Sequence, residues 1–571
     1  MPVRVNPPSG FWERNDTYYP HPLSPMFRSF FLDGLEGGFR RFFAECGALA
    51  AGVEFREIGG WVYLRVVPLG GRDMPRLPGW VTWLALRLVP QLRRRVHTAV
   101  EAVRQDRFGM YIGRWNDIWR PSLVERARAA QALDKTRLSD PELAEHVEAM
   151  AAFVREALEV HFLVVGAHFF PMADLAFTCQ QLLGWDEKQC MSLLAGLSAS
   201  STEPALALES LATMARRRPR VRQRILAHRP LAEVVADDLE FRAAFDSYLE
   251  RYGHRVLRYE ISEPTVAEQP DLVLGWLRGQ LVAGYDGNRV LAELDERRQA
   301  ALDGARALLA QRSAALRQRF EQVLERAARA YPLREDNEVC TCSVPLAVVR
   351  YAGLELGRRL AERGSIDRPD HVFWLTVPEA LAALTDGTRR QALVHLRRGE
   401  HAWVKTHPGP RSYGRRPQVP DVVPGLPPEA EFVLRAGWWM RDHGFAPAES
   451  SRRQITGSRI DGIAAAGGRY TGPVRIVRSD AELTKVQPGD VLVCPVAAPV
   501  WSVLFANIGA LVTDTGGLLS HSAIIAREYG MPAIVATGNA TQVLHDGQIV
   551  TVDGDAAEVR ILDGQGGWAR A

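Results

Sequence analysis

The chain has 571 residues, of which 47% are hydrophobic and 24% charged, and a formal net charge of +3. That length predicts two to four domains and leaves ample material for more than one core. The near-balanced charge argues against a nucleic-acid partner or a membrane surface, and the composition is that of a globular protein. Six cysteines (Cys46, Cys179, Cys190, Cys340, Cys342 and Cys494) lie scattered. Their spacing predicts no zinc or other metal site and fits a reducing, cytoplasmic compartment.

In chain order, the opening MPVRVNPPSGFWERND has no apolar signal-peptide core. Residues 27–46 read as a helix, and Val53–Val67 reads as a hairpin turning at Gly59-Gly60. From about 80 to 330 apolar residues recur at three- and four-residue spacing, which predicts helices over Pro141–Val164, Glu203–Arg217 and Leu291–Tyr331. The most apolar run, 158–178, holds His161, His168, Pro171 and Asp174, so a buried core helix is expected there and not a membrane span. The arginines between 216 and 224 read as a solvated helix face or end. Another helix is expected over Pro345–Arg363, then a short strand over His371–Thr376.

The stretch 408–428, PGPRSYGRRPQVPDVVPGLPP, cannot be a regular helix or an interior strand. It reads as a semi-rigid linker or as an ordered loop laid along the helical part. After about 455 glycine becomes frequent, and six short β-like runs appear: 472–477, 490–496, 510–513, 533–536, 549–552 and 558–562. One helix, Ser520–Tyr529, lies among them, so a compact α/β domain is expected.

His521 is the chemically suggestive residue. An imidazole nitrogen is a good nucleophile near neutral pH. The strand 510–513 leads into Gly516-Gly517 and then a helix, a turn that allows close backbone approach and presents unpaired N–H groups to phosphate. Ser520 or Ser522 can cap the helix or donate to phosphate oxygens, and Thr513 and Thr515 can do likewise. His521, Ile525 and Glu528 share a helix face, whereas Arg527 points away. A histidine at a helix start also serves as a cap or packing group, and spacing alone leaves both readings open.

The run TDTGGLLSHSAIIAREYGMPAIVATG resembles the phosphohistidine motif of phosphoenolpyruvate-utilising enzymes, the group that includes rifampin (rifampicin) phosphotransferase. Gly472-Pro473-Val474-Arg475, Pro488–Val493, Pro499 with Trp501, and Val552-Asp553-Gly554 extend the likeness. Upstream, Arg251-Tyr252-Gly253-His254-Arg255, Glu260, Glu263, Glu268, Leu333–Asn337 and Leu354–Leu360 are similar to the family's substrate-binding region. The resemblance implies a multidomain chain. A large, mainly helical substrate-binding domain with a small N-terminal β element would cover 1–407. A Pro/Gly-rich linker and tether would cover 408–455, and a β/β/α swivelling phosphohistidine domain 456–571.

It further implies that His521 carries phosphate, with His254 as a candidate base. Arg255 and Arg334 would hold phosphate together with Thr513, Thr515, Gly516, Gly517, Ser520 and Ser522. Glu260, Glu263, Glu268 and Glu335 are the substrate-domain carboxylate candidates. Some relatives carry a basic residue four positions after Arg334. Here Glu338 stands there, which argues against rifampin itself as acceptor. No Walker-type loop and no ATP-grasp lobe is legible in the chain. ATP is therefore expected to act as an indirect donor through a separate ATP-grasp protein, with Mg²⁺ at that partner's site. The acceptor would be a small molecule, hydrophobic or aromatic. A phosphorylation-dependent dehydratase and a non-catalytic phospho-carrier are the alternatives.

Overall fold

The computed structural model describes residues 8–16, 18–70, 78–417, 423, 425–444 and 458–562. These fall into two compact units. The first holds residues up to Phe170, Arg258–Pro264 and Asn337–Trp438; the second holds Pro171–Leu257, Thr265–Asp336 and the residues from Trp439 on.

In the first unit, strands β1 (Trp12–Arg14), β2 (Ala50–Ile58), β3 (Trp61–Pro68) and β4 (Ser412–Tyr413) form a sheet in the order β2-β3-β1-β4. The hairpin β2–β3 turns at Gly59 and Gly60, both at positive φ, as the two-residue turn of a twisted hairpin requires. The helix Pro25–Cys46 begins at Ser24, whose hydroxyl accepts from Phe27 N. It buries Phe27, Phe30, Phe31 and Leu35, the i, i+3, i+4 face expected of a helix on a core. The run 158–178 lies inside one helix, Asp140–Leu183. By length and composition, this helix and the run Ala314–Glu362 could each cross a membrane. The apolar windows are 94% and 72% buried within the protein, as core helices are.

Two readings of the sequence are corrected here. Residues 371–376 are no strand: Pro369–Trp374 forms a 3₁₀ turn, and Thr376 then caps the helix Val377–Asp386 through a reciprocal bond with Glu379. Pro369 pre-sets the turn, and the capping box claims the residues a strand would need. Within 408–455, residues 412–413 pair with β1, Trp12 opposite Tyr413, and Pro428–Gly444 is a 17-residue helix. Its acidic first turn and apolar face outweigh the proline signal upstream. Residues 418–422, 424 and 445–455 of the expected linker and tether lie outside the described residues.

In the second unit the expected helix 291–331 is two helices, Gly287–Leu309 and Ala314–Ala330, the latter capped by Ser313. The arginine run sits at the exposed end of Ala199–Arg216 and on Pro219–Leu226. There Arg218 pairs with Asp238 at 3.0 Å and Arg224 with Asp237 at 2.6 Å.

The C-terminal sheet has eight strands: β5 (Arg459–Asp461), β6 (Ile463–Ala466), β7 (Arg469–Ile476), β8 (Val491–Cys494), β9 (Ala510–Thr513), β10 (Ala533–Val535), β11 (Ile549–Asp553) and β12 (Glu558–Ile561). Their order is β5-β12-β11-β7-β8-β9-β10-β6. β7 to β10 run parallel, and the flanking strands pair antiparallel. β5 and β6 escape a sequence reading because one is three residues long and the other, IAAA, is made mostly of helix-favouring alanine; pairing with β10 overrides that preference. Alternation along β8 and β9 feeds two cores. Val491, Val493, Ala510 and Val512 face one core, whereas Leu492, Cys494 and Leu511 face the other. The second core is continuous with Ala523, Ile525 and Ala526 and with the helices Ala199–Arg216, Leu239–Tyr252 and Pro270–Ala283. The α/β domain is thus seated on helices of its own unit.

The 3₁₀ turn that replaces the expected strand packs on Val344–Glu362 at Gly357, where an added Cβ would lie 2.0 Å from the Pro369 carbonyl oxygen. Gly357→Ala is therefore expected to destabilise the first unit by about 1–3 kcal/mol, as overpacking against backbone does. Thermal denaturation followed by circular dichroism checks this; an unchanged first transition would refute it.

Candidate functional site

Strand β9 ends at Thr513, and residues 514–520 turn the chain into the helix His521–Glu528. Gly516 has φ +118°, a conformation that side-chain-bearing residues rarely adopt. Gly517 admits the main-chain carbonyl of His443: a Cβ there would lie 2.4 Å from that oxygen. The same carbonyl accepts from Leu519 N at 3.1 Å. Ser520 is the N-cap, its hydroxyl accepting from Ala523 N and donating to the Gly517 carbonyl at 2.8 Å.

His521 is thereby the first residue of the helix, and its ring is buried. Nδ1 lies 2.8 Å from Glu335 Oε1, and Glu335 is itself buried on the helical segment Leu333–Glu338. A carboxylate only accepts, so with Glu335 ionised Nδ1 carries a proton, and in the neutral ring Nε2 then keeps its lone pair. The helix N-terminus adds a partial positive charge on the same side. Together these make a polar histidine site with Nδ1 anchored on Glu335.

The other expected residues divide by what they touch. The Thr513 hydroxyl donates to Thr515 O at 2.7 Å, and the Thr515 hydroxyl to Pro495 O at 3.0 Å, so in this arrangement both brace the turn. Asp514 braces it further by accepting from Thr541 N and Oγ1, and burial pushes its carboxyl up against those bonds. Ser522 is buried, with its hydroxyl 3.5 Å from Ala497 O. Arg334, beside Glu335, is buried. Glu268 closes a capping box with Thr265, which donates to it from N and Oγ1 at 2.9 Å each. His254 and Arg255 follow the helix Leu239–Tyr252, and Arg255 lies over the Tyr252 ring. Glu260 and Glu263 belong to the first unit. There Glu260 accepts from Ser24 N and Oγ, and burial nonetheless raises its pKa; Glu263 is exposed. Glu335 is the carboxylate candidate that reaches His521.

Sequence reasoning missed a second set of contacts around the same turn. Glu187 accepts from Trp439 Nε1 and from His443 Nε2, both at 2.7 Å, and the His443 ring stacks on Trp439. This carboxylate ties the end of the helix Pro428–Gly444, whose carbonyl abuts Gly517, to the helix Glu187–Ser192. The only sequence hint is the Asp186–Gln189 capping box that places Glu187 at a helix start. Among the described residues no group of three or more His, Cys, Asp or Glu is placed to hold a metal ion.

Comparison with known proteins assigns the two halves of this site. Residues 486–557 match the mobile domain of PEP-utilising enzymes, and residues 161–335 match the rifampicin phosphotransferase fourth domain. His521 belongs to the first match, and Glu335 is the last residue of the second. The chain thus matches both the PEP-utilising mobile domain and the rifampicin phosphotransferase fourth domain, the pairing its motifs pointed to. It is 30% identical over 537 residues to chondramide synthase of Chondromyces crocatus, covering 90% of this chain and 13% of that protein. It is 26% identical over 561 residues to the uncharacterised phosphotransferase YvkC of Bacillus subtilis, covering 97% and 62%. It is 29% identical over 483 residues to rifampicin phosphotransferase of a Streptomyces species, covering 77% and 51%. The chain therefore spans less than two thirds of each of these relatives.

The His443 pair makes a pH prediction. Burial opposes the imidazolium, but the Glu187 bond and charge hold the His443 pKa above its ordinary value. Burial likewise opposes the Glu187 carboxylate, whose pKa the His443 bond lowers. The histidine's contribution is full below its ordinary value and lost as pH rises through the raised one. The carboxylate's contribution is present above its ordinary value and lost as pH falls through the depressed one. The contact is strongest between roughly pH 4.3 and 6.5. Histidine hydrogen–deuterium exchange read by mass spectrometry should give a His443 midpoint above about 6.5 that falls in Glu187→Gln. A midpoint that Glu187→Gln leaves unmoved would contradict the pairing.

Proposed function

We propose that the chain is a phosphotransferase component that carries a phosphoryl group on His521 and delivers it to a hydroxyl of a small molecule held by its helical region. The observation that carries this reading is the buried 2.8 Å contact between His521 Nδ1 and Glu335, at a helix N-terminus behind a glycine turn. The two domain matches and the resemblance of the motif support it.

In the charging step Nε2 attacks the phosphorus of the donor, and the donor's P–O bond breaks with its electron pair leaving on oxygen. The ring then bears positive charge, which the Glu335 carboxylate beside Nδ1–H offsets. In the delivery step the acceptor oxygen attacks phosphorus, the P–Nε2 bond breaks, and the pair returns to Nε2. The leaving group is neutral imidazole, with its proton still on Nδ1. A base removes the acceptor's hydroxyl proton, and His254 is the candidate for it. Arg334 and Arg255 are candidates for neutralising the moving phosphoryl group, a task a guanidinium fork suits. The donor in this reading is ATP, acting through a separate ATP-grasp partner that holds Mg²⁺.

The test is to incubate the chain with γ- or β-labelled ATP and a co-encoded ATP-grasp protein, then map acid-labile phosphate. Label is expected on His521 and is expected to vanish in His521→Ala. Glu335→Gln should slow labelling roughly a hundredfold, the low end of what a positioned acid–base partner contributes. A well-folded chain that takes no label under any donor, or label that persists in His521→Ala, would refute the proposal.

A further inference from the structure

The helix His521–Glu528 is held at both ends by its own unit, and the second hold is independent of the histidine. Glu528 lies seven residues, almost two full turns, after His521 and therefore on the same face. Its carboxylate is buried and accepts from three donors: Gly196 N at 3.1 Å, Ser198 N at 3.0 Å and Tyr331 Oη at 3.2 Å. Gly196 and Ser198 immediately precede the helix Ala199–Arg216, and Tyr331 is four residues before Glu335. One short stretch, 331–335, thus receives both ends of the histidine helix: Tyr331 takes Glu528, and Glu335 takes His521.

We infer that Glu528 is a positioning residue that sets the docked register of the mobile domain, so that His521 meets Glu335 when this contact is made and leaves it when the contact is broken. The inference rests on the phosphoryl-carrier reading for its purpose, not for its geometry. The recognition is directional because three donors converge on the two carboxyl oxygens, Gly196 N and Tyr331 Oη on one and Ser198 N on the other. It is also reversible. Burial pushes the Glu528 carboxyl up to about 7 despite the bonds from Ser198, Gly196 and Tyr331. Desolvation therefore outweighs the hydrogen bonds, the charged form is held at a net cost, and the contact aligns the helix without locking it.

Chemical modification of the unphosphorylated full chain tests this without any donor or acceptor. Diethyl pyrocarbonate modifies accessible imidazoles, and His545, exposed on the same domain, serves as internal reference. In the wild type His521 should react at least tenfold more slowly than His545. Glu528→Gln presents an amide N–H₂ to donors that need an acceptor, and it should raise the His521:His545 ratio at least fivefold with the His545 rate unchanged. If that variant fails to fold, Tyr331→Phe, which removes one donor and little volume, decides the matter by a rise of at least twofold. An unchanged ratio in the deciding variant, or equal acceleration of both histidines, overturns the inference. Because modification does not depend on phosphorylation, a chain that shows the shift but never takes phosphate would refute the carrier reading and leave the docking role standing.

Discussion

A carboxylate and an imidazole held 2.8 Å apart, both out of water, impose demands on everything around them. Taking either group from water is costly unless the partner is placed to repay it, so the two segments must meet in one register. The Gly516-Gly517 turn, the Ser520 cap and the carbonyl of His443 fix where the histidine helix begins. The segment after Tyr331 fixes where Glu335 stands. With Nδ1 committed to Glu335, Nε2 is the ring nitrogen left over, and in the proposed reaction it is the atom that would bond phosphorus.

The seat of the mobile domain combines contacts of two kinds. One is the continuous apolar core shared by the sheet face of Leu492, Leu511 and Val535 with the helices Ala199–Arg216 and Pro270–Ala283. Such burial is favourable but non-directional. The other kind is polar and directional: Glu335 on His521, Glu528 on Gly196, Ser198 and Tyr331, and Glu187 on Trp439 and His443. Apolar contact holds the domain down, and the carboxylates decide at which register it sits. The phosphoryl-carrier role proposed above would need that division, because directional polar contacts can be made and broken without disturbing the apolar seat.

Much of this is legible in the amino-acid sequence, and the boundary has physical causes. The glycine turn, the helix and the shared face of His521 and Glu528 follow from local periodicity and turn chemistry, and six of the eight C-terminal strands follow from β-like runs. The pairing of His521 with Glu335 does not, because 186 residues separate them; only resemblance named Glu335, among several carboxylates. Trp439 and His443 carried no local signal, and Glu187 only the capping box beside it, since a contact between a helix start and a helix end far apart in sequence leaves no periodicity. Pro369–Trp374 misled because a short apolar run fits strand and turn alike until capping is considered. Thr513 and Thr515 have hydroxyls suited to a phosphate, and here both donate to carbonyls that hold the turn, Thr513 within it and Thr515 across to Pro495, contacts that the sequence does not show.

The central claim is that Glu335 holds Nδ1 and leaves Nε2 to carry phosphate. Phosphorus-31 magnetic resonance of the charged chain, denatured in alkali so that the two phosphohistidine isomers are resolved, reads that choice directly. The account predicts a single signal from the Nε2 isomer on His521, whereas phosphate on Nδ1 would contradict it.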